Sequence, residues 1–195
     1  MKKYELTAEF IEKWGKKLFR IKALIGFGSV EAGELGGYVE KEDNLAQNGN
    51  AWVFDDAEVY GNARVYGNAE VYGDARVCGD AWVYGDARVY GDAEVYGNAR
   101  VYGDAWVCGN ADYLLIGRIG SRFSFTTFFK NKDKGITVSC GCFLGTIAEF
   151  RAKVTDTHGN NKHAKMYNLA ADMAELQILG EEHFDKLNTN KSEPF

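Results

Sequence analysis

Residues 49–114 are eleven consecutive six-residue units: GNAWVF, DDAEVY, GNARVY, GNAEVY, GDARVC, GDAWVY, GDARVY, GDAEVY, GNARVY, GDAWVC and GNADYL. A period this strict restricts the fold before any other property does, because every unit must sit in the same local environment as the next. The order within a unit is Gly, Asn or Asp, Ala, a variable residue, Val, then an aromatic or Cys; Tyr113 replaces Val in the last unit. Alternation along a strand puts Ala and Val on one face and the variable and aromatic positions on the other. The constant Ala and Val are the inside. Gly and Asn/Asp fall where the chain turns, since they tolerate positive φ and Asx-type hydrogen bonds. Three six-residue sides close a triangular coil, so residues eighteen apart become neighbours on stacked parallel strands.

The period also limits chemistry. The array contains no His, Lys, Ser or Thr, so it lacks most of the side chains that catalysis uses. It holds four Arg against eleven Asp and Glu, a balance of −7, whereas residues 1–48 are neutral (eight against eight) and 115–195 carry +2 (eleven against nine). Such an acidic body disfavours direct nucleic-acid binding and suits a basic protein surface. The four cysteines are too few for a disulfide scaffold and lack CxxC pairing. No apolar run approaches the roughly 18–20 residues of a membrane span, and MKKYELTAEF has no apolar core of a secretory signal. A reduced, cytoplasmic protein without cofactor or metal is the expectation.

Three segments follow. Residues 1–48 are a lead-in, with Tyr4–Ile11 and Lys17–Leu24 expected to pair as a hairpin across Trp14-Gly15. A Gly-rich stretch then leads into the repeat, 49–114. Residues 115–195 read as a small α/β unit. Its strands Phe123–Lys130 and Ile136–Phe143 flank a turn at 131–135. A capping box of Thr146 and Glu149 starts a helix that ends at Gly159, and a second helix runs from about Lys162 to Leu179. The tail NTNKSEPF is expected to be mobile.

The eighteen-residue register generates outward columns: Trp52, Glu70, Arg88, Trp106; Glu58, Arg76, Glu94, Asp112; and Arg64, Trp82, Arg100. The second alternates in sign, as a salt-bridge ladder does, and the third sets an indole between two guanidiniums. Aromatic columns run beside them, including Tyr66, Tyr84, Tyr102. Exposed Tyr, Trp and Arg are the residues enriched at interaction hot spots. The expected partner-binding set is Trp52, Glu58, Arg64, Tyr66, Glu70, Trp82, Tyr84, Glu94, Arg100, Tyr102 and Trp106. The Asp-rich corner columns lack the ligand geometry of a Ca²⁺ site, and solvent is expected to relieve their repulsion.

The array resembles the left-handed parallel β-helix of hexapeptide-repeat proteins, in which a small residue follows the inward aliphatic by four positions, as Ala63 follows Val59 and Ala69 follows Val65. The resemblance implies a mainly β fold: about three to four triangular coils, a hairpin-like N-terminal lead-in and an α/β C-terminal cap of a hairpin plus two helices. Acyltransferases of that family use a His in or near the coils. Here His158, His163 and His183 all lie C-terminal to the array, and no long loop interrupts the coils, so acyl transfer is not expected. The weak catalytic candidates are Cys142 and His158, with Asp156 nearby in sequence; packing roles in a β-rich run and at a helix C-terminus are the expected alternative. Metal binding by Cys140, Cys142, His158 and His163 is disfavoured by the CxC spacing.

Over its whole length the chain also resembles small phage- and prophage-encoded proteins. LFRIKALIGFG (18–28), GELGGYVEKEDNL (33–45), the GNARVYG array, IGSR (119–122) and VSCGCFLGT (138–146) carry this resemblance. It implies an accessory role, such as blocking a host defence complex in the manner of an anti-CRISPR. The leading expectation is a non-enzymatic protein that docks its acidic, aromatic surface on a basic, nucleic-acid-binding effector. Alternatives are a structural homo-oligomer, an acyltransferase or Cys/His enzyme, and a nucleotide sponge.

Overall fold

A computed structural model describes residues 1–182; His183 and the NTNKSEPF tail lie outside the described residues. The chain divides into two compact units, Met1–Asn110 and a second beginning at Ala111.

The first unit is a parallel β-solenoid. Its repeat supplies ten two-residue strands, β4–β13, each made of the variable residue and the Val after it, from Trp52–Val53 to Trp106–Val107. They assemble into three sheets, ordered β4-β7-β10-β13, β5-β8-β11 and β6-β9-β12. Partners are eighteen residues apart, as in Trp52 with Glu70 and Arg64 with Trp82. Every repeat Ala and Val from Ala51 to Val107 is at most 2% exposed. Each buried Val contributes about 1.5–2 kcal/mol, so the stacked interior is the main source of stability.

The corners follow from close approach. Gly61 through Gly103 at six-residue intervals have φ between 67 and 75°. A Cβ on Gly79 would lie 2.9 Å from the backbone nitrogen of Gly97. The neighbouring Asn and Asp do not share the positive φ expected of them; Asp55 does, at φ 50°, because it occupies a Gly place. The corner columns are not simply relieved by solvent. Asn50 donates to Asn68, Asn68 to Asp86, and Asn62 to Asp80, each at 3.1 Å. Where an Asn stands in a corner column, its amide donates to the Asn or Asp eighteen residues on and so links successive coils by hydrogen bonds.

The lead-in folds onto the first coil. β1 (Tyr4–Lys13) and β2 (Lys16–Ala23) form the expected hairpin, with Trp14 and Gly15 both at positive φ. β3 (Leu35–Val39) pairs antiparallel with β2 and parallel with β5, so one solenoid face continues into a six-stranded sheet. Tyr38 pairs with Glu58 and Leu45 bridges to Val65, both twenty residues apart. The turn of chain that starts at Tyr38 is therefore a degenerate coil of twenty residues, two longer than the repeat coils, and it caps the repeat. Asn44 seals it by donating to the carbonyls of Gly61 (3.2 Å) and Ala63 (2.8 Å).

Two residues expected outside are inside as a result. Trp52 is fully buried, with Tyr4 and Phe27 edge-on at centroid separations of 6.0 and 5.4 Å. Glu58 is 4% exposed and pairs with Lys13 of the hairpin, leaving its Oε2 buried without a partner. The repeat alone predicts both to face solvent; the lead-in covers them.

Lys3 is 2% exposed, donates to the carbonyl of Ala51 at 2.8 Å and lies 4.8 Å from the Phe27 ring. Burial lowers its pKa from 10.5 to about 8. The unfolded chain therefore binds more protons than the folded one between those values, and stability rises with pH across that window. Above pH 10 the half-buried Tyr84 opposes it: burial, then neighbouring Tyr102, raises its phenol to about 12, so its contribution is lost as pH climbs from 10 toward that value. Urea unfolding at pH 8 and pH 10 is expected to show wild type gaining roughly 2–3 kcal/mol relative to Lys3→Met. Parallel pH profiles for the two proteins would contradict this.

The second unit is a four-stranded antiparallel meander carrying two helices. The expected hairpin is β15 (Ser124–Lys130) and β16 (Ile136–Cys140); β14 (Tyr113–Ile119) and β17 (Phe143–Thr146) extend it on either side. Asn131 closes the turn by accepting from the backbone of Asp133 and Gly135. α1 (Ile147–His158) starts at the Thr146/Glu149 capping box, and α2 (Lys162–Leu179) is capped by Asn161 and ends at Gly180. Phe128, Val138, Phe150, Val154, Tyr167 and Ala171 form the core. Asp112 does not extend the second outward column: it is 6% exposed in this unit and pairs with Lys130 at 2.8 Å. Among the described residues no helix is long and apolar enough to cross a membrane.

Candidate functional site

The sheet β6-β9-β12 gathers six of the expected partner-binding residues on one face. Its column Arg64, Trp82, Arg100 runs beside the column Tyr66, Tyr84, Tyr102. The tyrosines stack almost parallel, with centroids 4.7 and 4.5 Å apart and interplanar angles of 4 and 6°. Such stacking follows directly from a register of eighteen, because each ring sits one strand spacing above the last. Arg100 lies over the Trp82 ring at 5.1 Å, and Tyr66 meets that ring edge-on at 6.1 Å. The indole is thus flanked by one guanidinium and one phenol rather than by two guanidiniums. Burial holds the Tyr66 and Tyr84 phenols above their ordinary pKa.

A groove of about 490 Å³ opens at the first strand of this face. Leu45 touches Val65 by a single bridge, whereas the β5 face gains a full strand, β3. The short cover leaves Tyr66 and Trp82 lining the groove together with Arg64, Glu42 and Asp43. Glu42 also pairs with Lys2 at 2.6 Å. By register, Asp80, Asp86 and Asp104 stand at the corners bordering the face. With Glu42 and Asp43 they make five carboxylates against the guanidiniums of Arg64 and Arg100.

The remaining expected residues lie elsewhere. Glu70 and Trp106 belong to the β4-β7-β10-β13 sheet, where Glu70 pairs with Arg88 at 3.2 Å and Trp106 is 40% exposed. Glu94 pairs with Arg76 on the β5-β8-β11 sheet. Trp14 at the hairpin tip stacks on Tyr60 at 5.0 Å and lies 5.7 Å from the Arg76 guanidinium. Trp52 and Glu58 are removed from any docking surface by their burial. Glu42 and Asp43 are the residues that repeat-based reasoning missed. The signal available was their place in EKEDNL, just ahead of a periodic acidic array.

Three stretches match the YdcK β-solenoid repeat: 57–73, 69–85 and 93–109. The chain thus carries a β-solenoid repeat, and the matched residues include Trp82, Tyr84 and Arg100 of the groove face. No curated protein matches the chain.

In the second unit, Cys142 and His158 both line a cavity of about 250 Å³. Cys142 is exposed in the Gly141-Cys142 turn between β16 and β17, not buried within a strand as packing in a β-rich run would have it. Cys140, half-buried beside it, accepts a hydrogen bond from the Thr126 hydroxyl at 3.2 Å. His158 ends α1 and stacks on Tyr167 at 5.8 Å. Among the described residues no His, Cys, Asp and Glu cluster is placed to hold a metal ion.

Proposed function

We propose that this protein is a non-enzymatic binding module whose β6-β9-β12 face docks a basic, nucleic-acid-binding segment of another protein. The observation that carries this reading is the groove at the open edge of the face, where Tyr66 and Trp82 stand beside Glu42 and Asp43. Lys and Arg side chains suit such a groove because their stems pack on aromatic rings while their charged ends meet carboxylates. The −7 balance of residues 49–114, four Arg against eleven acids, adds long-range attraction that speeds encounter with a basic surface. With the resemblance to phage- and prophage-encoded proteins, the most concrete partner is a host defence effector. A CRISPR nuclease complex, whose channel must be basic to hold nucleic acid, is the leading case.

The test is fluorescence anisotropy with a labelled Lys/Arg-rich peptide at physiological ionic strength, followed by nuclease inhibition with an assembled effector. Wild type is expected to bind the peptide, and Trp82→Ala or Asp43→Lys with Asp86→Lys to weaken it at least ~10-fold, about 1.4 kcal/mol. Equal binding by wild type and both variants, with circular dichroism unchanged, would remove the groove from the interaction.

A further inference from the structure

Two segments that the repeat does not explain, IGSR (119–122) and VSCGCFLGT (138–146), are separated in sequence but converge on the 250 Å³ cavity of the second unit. Ser121, Arg122 and Ser124 come from the β14–β15 turn and its exit. Cys140, Gly141, Cys142 and Phe143 come from the β16–β17 turn. Lys153, Thr157 and His158 come from α1, and Tyr167 from α2.

The lining is chemically lopsided. Among the described residues it contains Arg122, Lys153 and His158 but no Asp or Glu. Its floor is apolar and aromatic: Phe143, Phe150, Val154 and the Tyr167 ring. The Arg122 guanidinium reaches the turn, where a Cβ on Gly141 would lie 3.7 Å from its Nη1. Lys153 pairs with Asp156 at 3.1 Å, but that exposed i,i+3 contact is worth only a few tenths of a kcal/mol and yields readily to a better-placed anion. Tyr167 is 6% exposed, and burial, then the neighbouring Cys140 sulfur, raises its phenol to about 12. Gly120 makes room for it: a Cβ there would fall 1.9 Å from the Tyr167 hydroxyl.

We infer that this cavity binds a small organic anion, a carboxylate or phosphate on a compact apolar or aromatic body, with Arg122 and Lys153 meeting the charge and Phe143, Phe150 and Val154 the body. At about 250 Å³ it falls just below the ~300–1,000 Å³ of drug-sized pockets, so a metabolite-sized ligand fits better than an extended one. The site is distinct from the solenoid groove and stands or falls separately from the docking reading.

The full-length protein is titrated with phenyl phosphate, benzoate, inorganic phosphate and neutral benzamide, followed by calorimetry and by iodoacetamide labelling of Cys142 read by peptide mass spectrometry. Phenyl phosphate or benzoate is expected to bind and slow Cys142 labelling, with inorganic phosphate and benzamide each at least ~10-fold weaker. Arg122→Ala is expected to lose ~10-fold or more in affinity while keeping the wild-type circular dichroism spectrum. Lys153→Gln, at an exposed position of α1, is expected to lose several-fold. Binding of inorganic phosphate as tight as phenyl phosphate would reduce the site to a bare cationic surface and overturn the inference. So would no binding by either organic anion, or undiminished binding by both variants.

Discussion

Replacing Trp52 with alanine is expected to cost about 3–5 kcal/mol of the first unit's stability. Trp52 is the largest fully buried side chain and has Tyr4 and Phe27 packed edge-on against it. The loss combines the transfer of an indole from water with a cavity that a stiff hydrogen-bonded coil cannot close. Chemical denaturation checks it: the urea midpoint falls with an unchanged slope. Trp82→Ala and Trp106→Ala, which remove half-buried or exposed indoles at equivalent repeat positions, are expected to lose no more than ~1–2 kcal/mol. Three tryptophans at one position of the repeat thus separate by burial alone. A Trp52→Ala variant as stable as Trp106→Ala would show that the lead-in does not cover the first coil.

Gly36→Val is expected to detach that cover. A Cβ at Gly36 would lie 2.5 Å from the carbonyl oxygen of Val53 and 2.7 Å from both the Ile21 side chain and the Trp52 ring. One of those neighbours is backbone already held in the ladder, so relief requires β3 to lift away. At Gly37 the clash is worse, 2.4 Å from the Ala57 carbonyl. Overpacking alone typically costs 1–3 kcal/mol, and exposure of Trp52, Leu45 and Ile21 adds to it, so about 4 kcal/mol or more is expected. The readout is a fall in melting temperature together with new proteolytic cleavage within residues 1–48. Melting like wild type would contradict the close approach of β3 to the first coil.

Both variants mark the limit of what periodicity reveals. The inside of the solenoid is legible because one rule, Ala and Val inward every six residues, is repeated until no other register satisfies it. The outward columns are legible for the same reason, and the pairing of Arg64, Trp82 and Arg100 follows by counting eighteen. Counting fails at the first coil, where the variable residue has no preceding repeat beside it. Trp52 and Glu58 obey the same pattern as Trp82 and Glu94, yet a non-periodic strand and hairpin bury them. The degenerate coil that starts at Tyr38 escapes the count because its spacing is twenty, not eighteen. The turn at 131–135 and the caps of α1 and α2 are readable from local hydrogen-bonding residues, because such signals act within a few positions.

The site features divide in the same way. The aromatic and charged columns of the groove face are written in the repeat, but Glu42 and Asp43 reach it from a segment with no repeat. Cys142 and His158 are sixteen residues apart in sequence, and nothing local relates them to Arg122 or Tyr167. Their place around one cavity depends on a four-stranded meander and two helices closing around one core.

By itself, then, the sequence determined the coil, its interior and the order of side chains along each face, because a short period makes every unit a neighbour of its own copy. Only the tertiary structure decided which of those faces the lead-in covers, where the groove opens, and that two turns and two helices enclose a cationic cavity. Those features join residues with no periodic relation, and the packing that brings them together is a property of the folded chain.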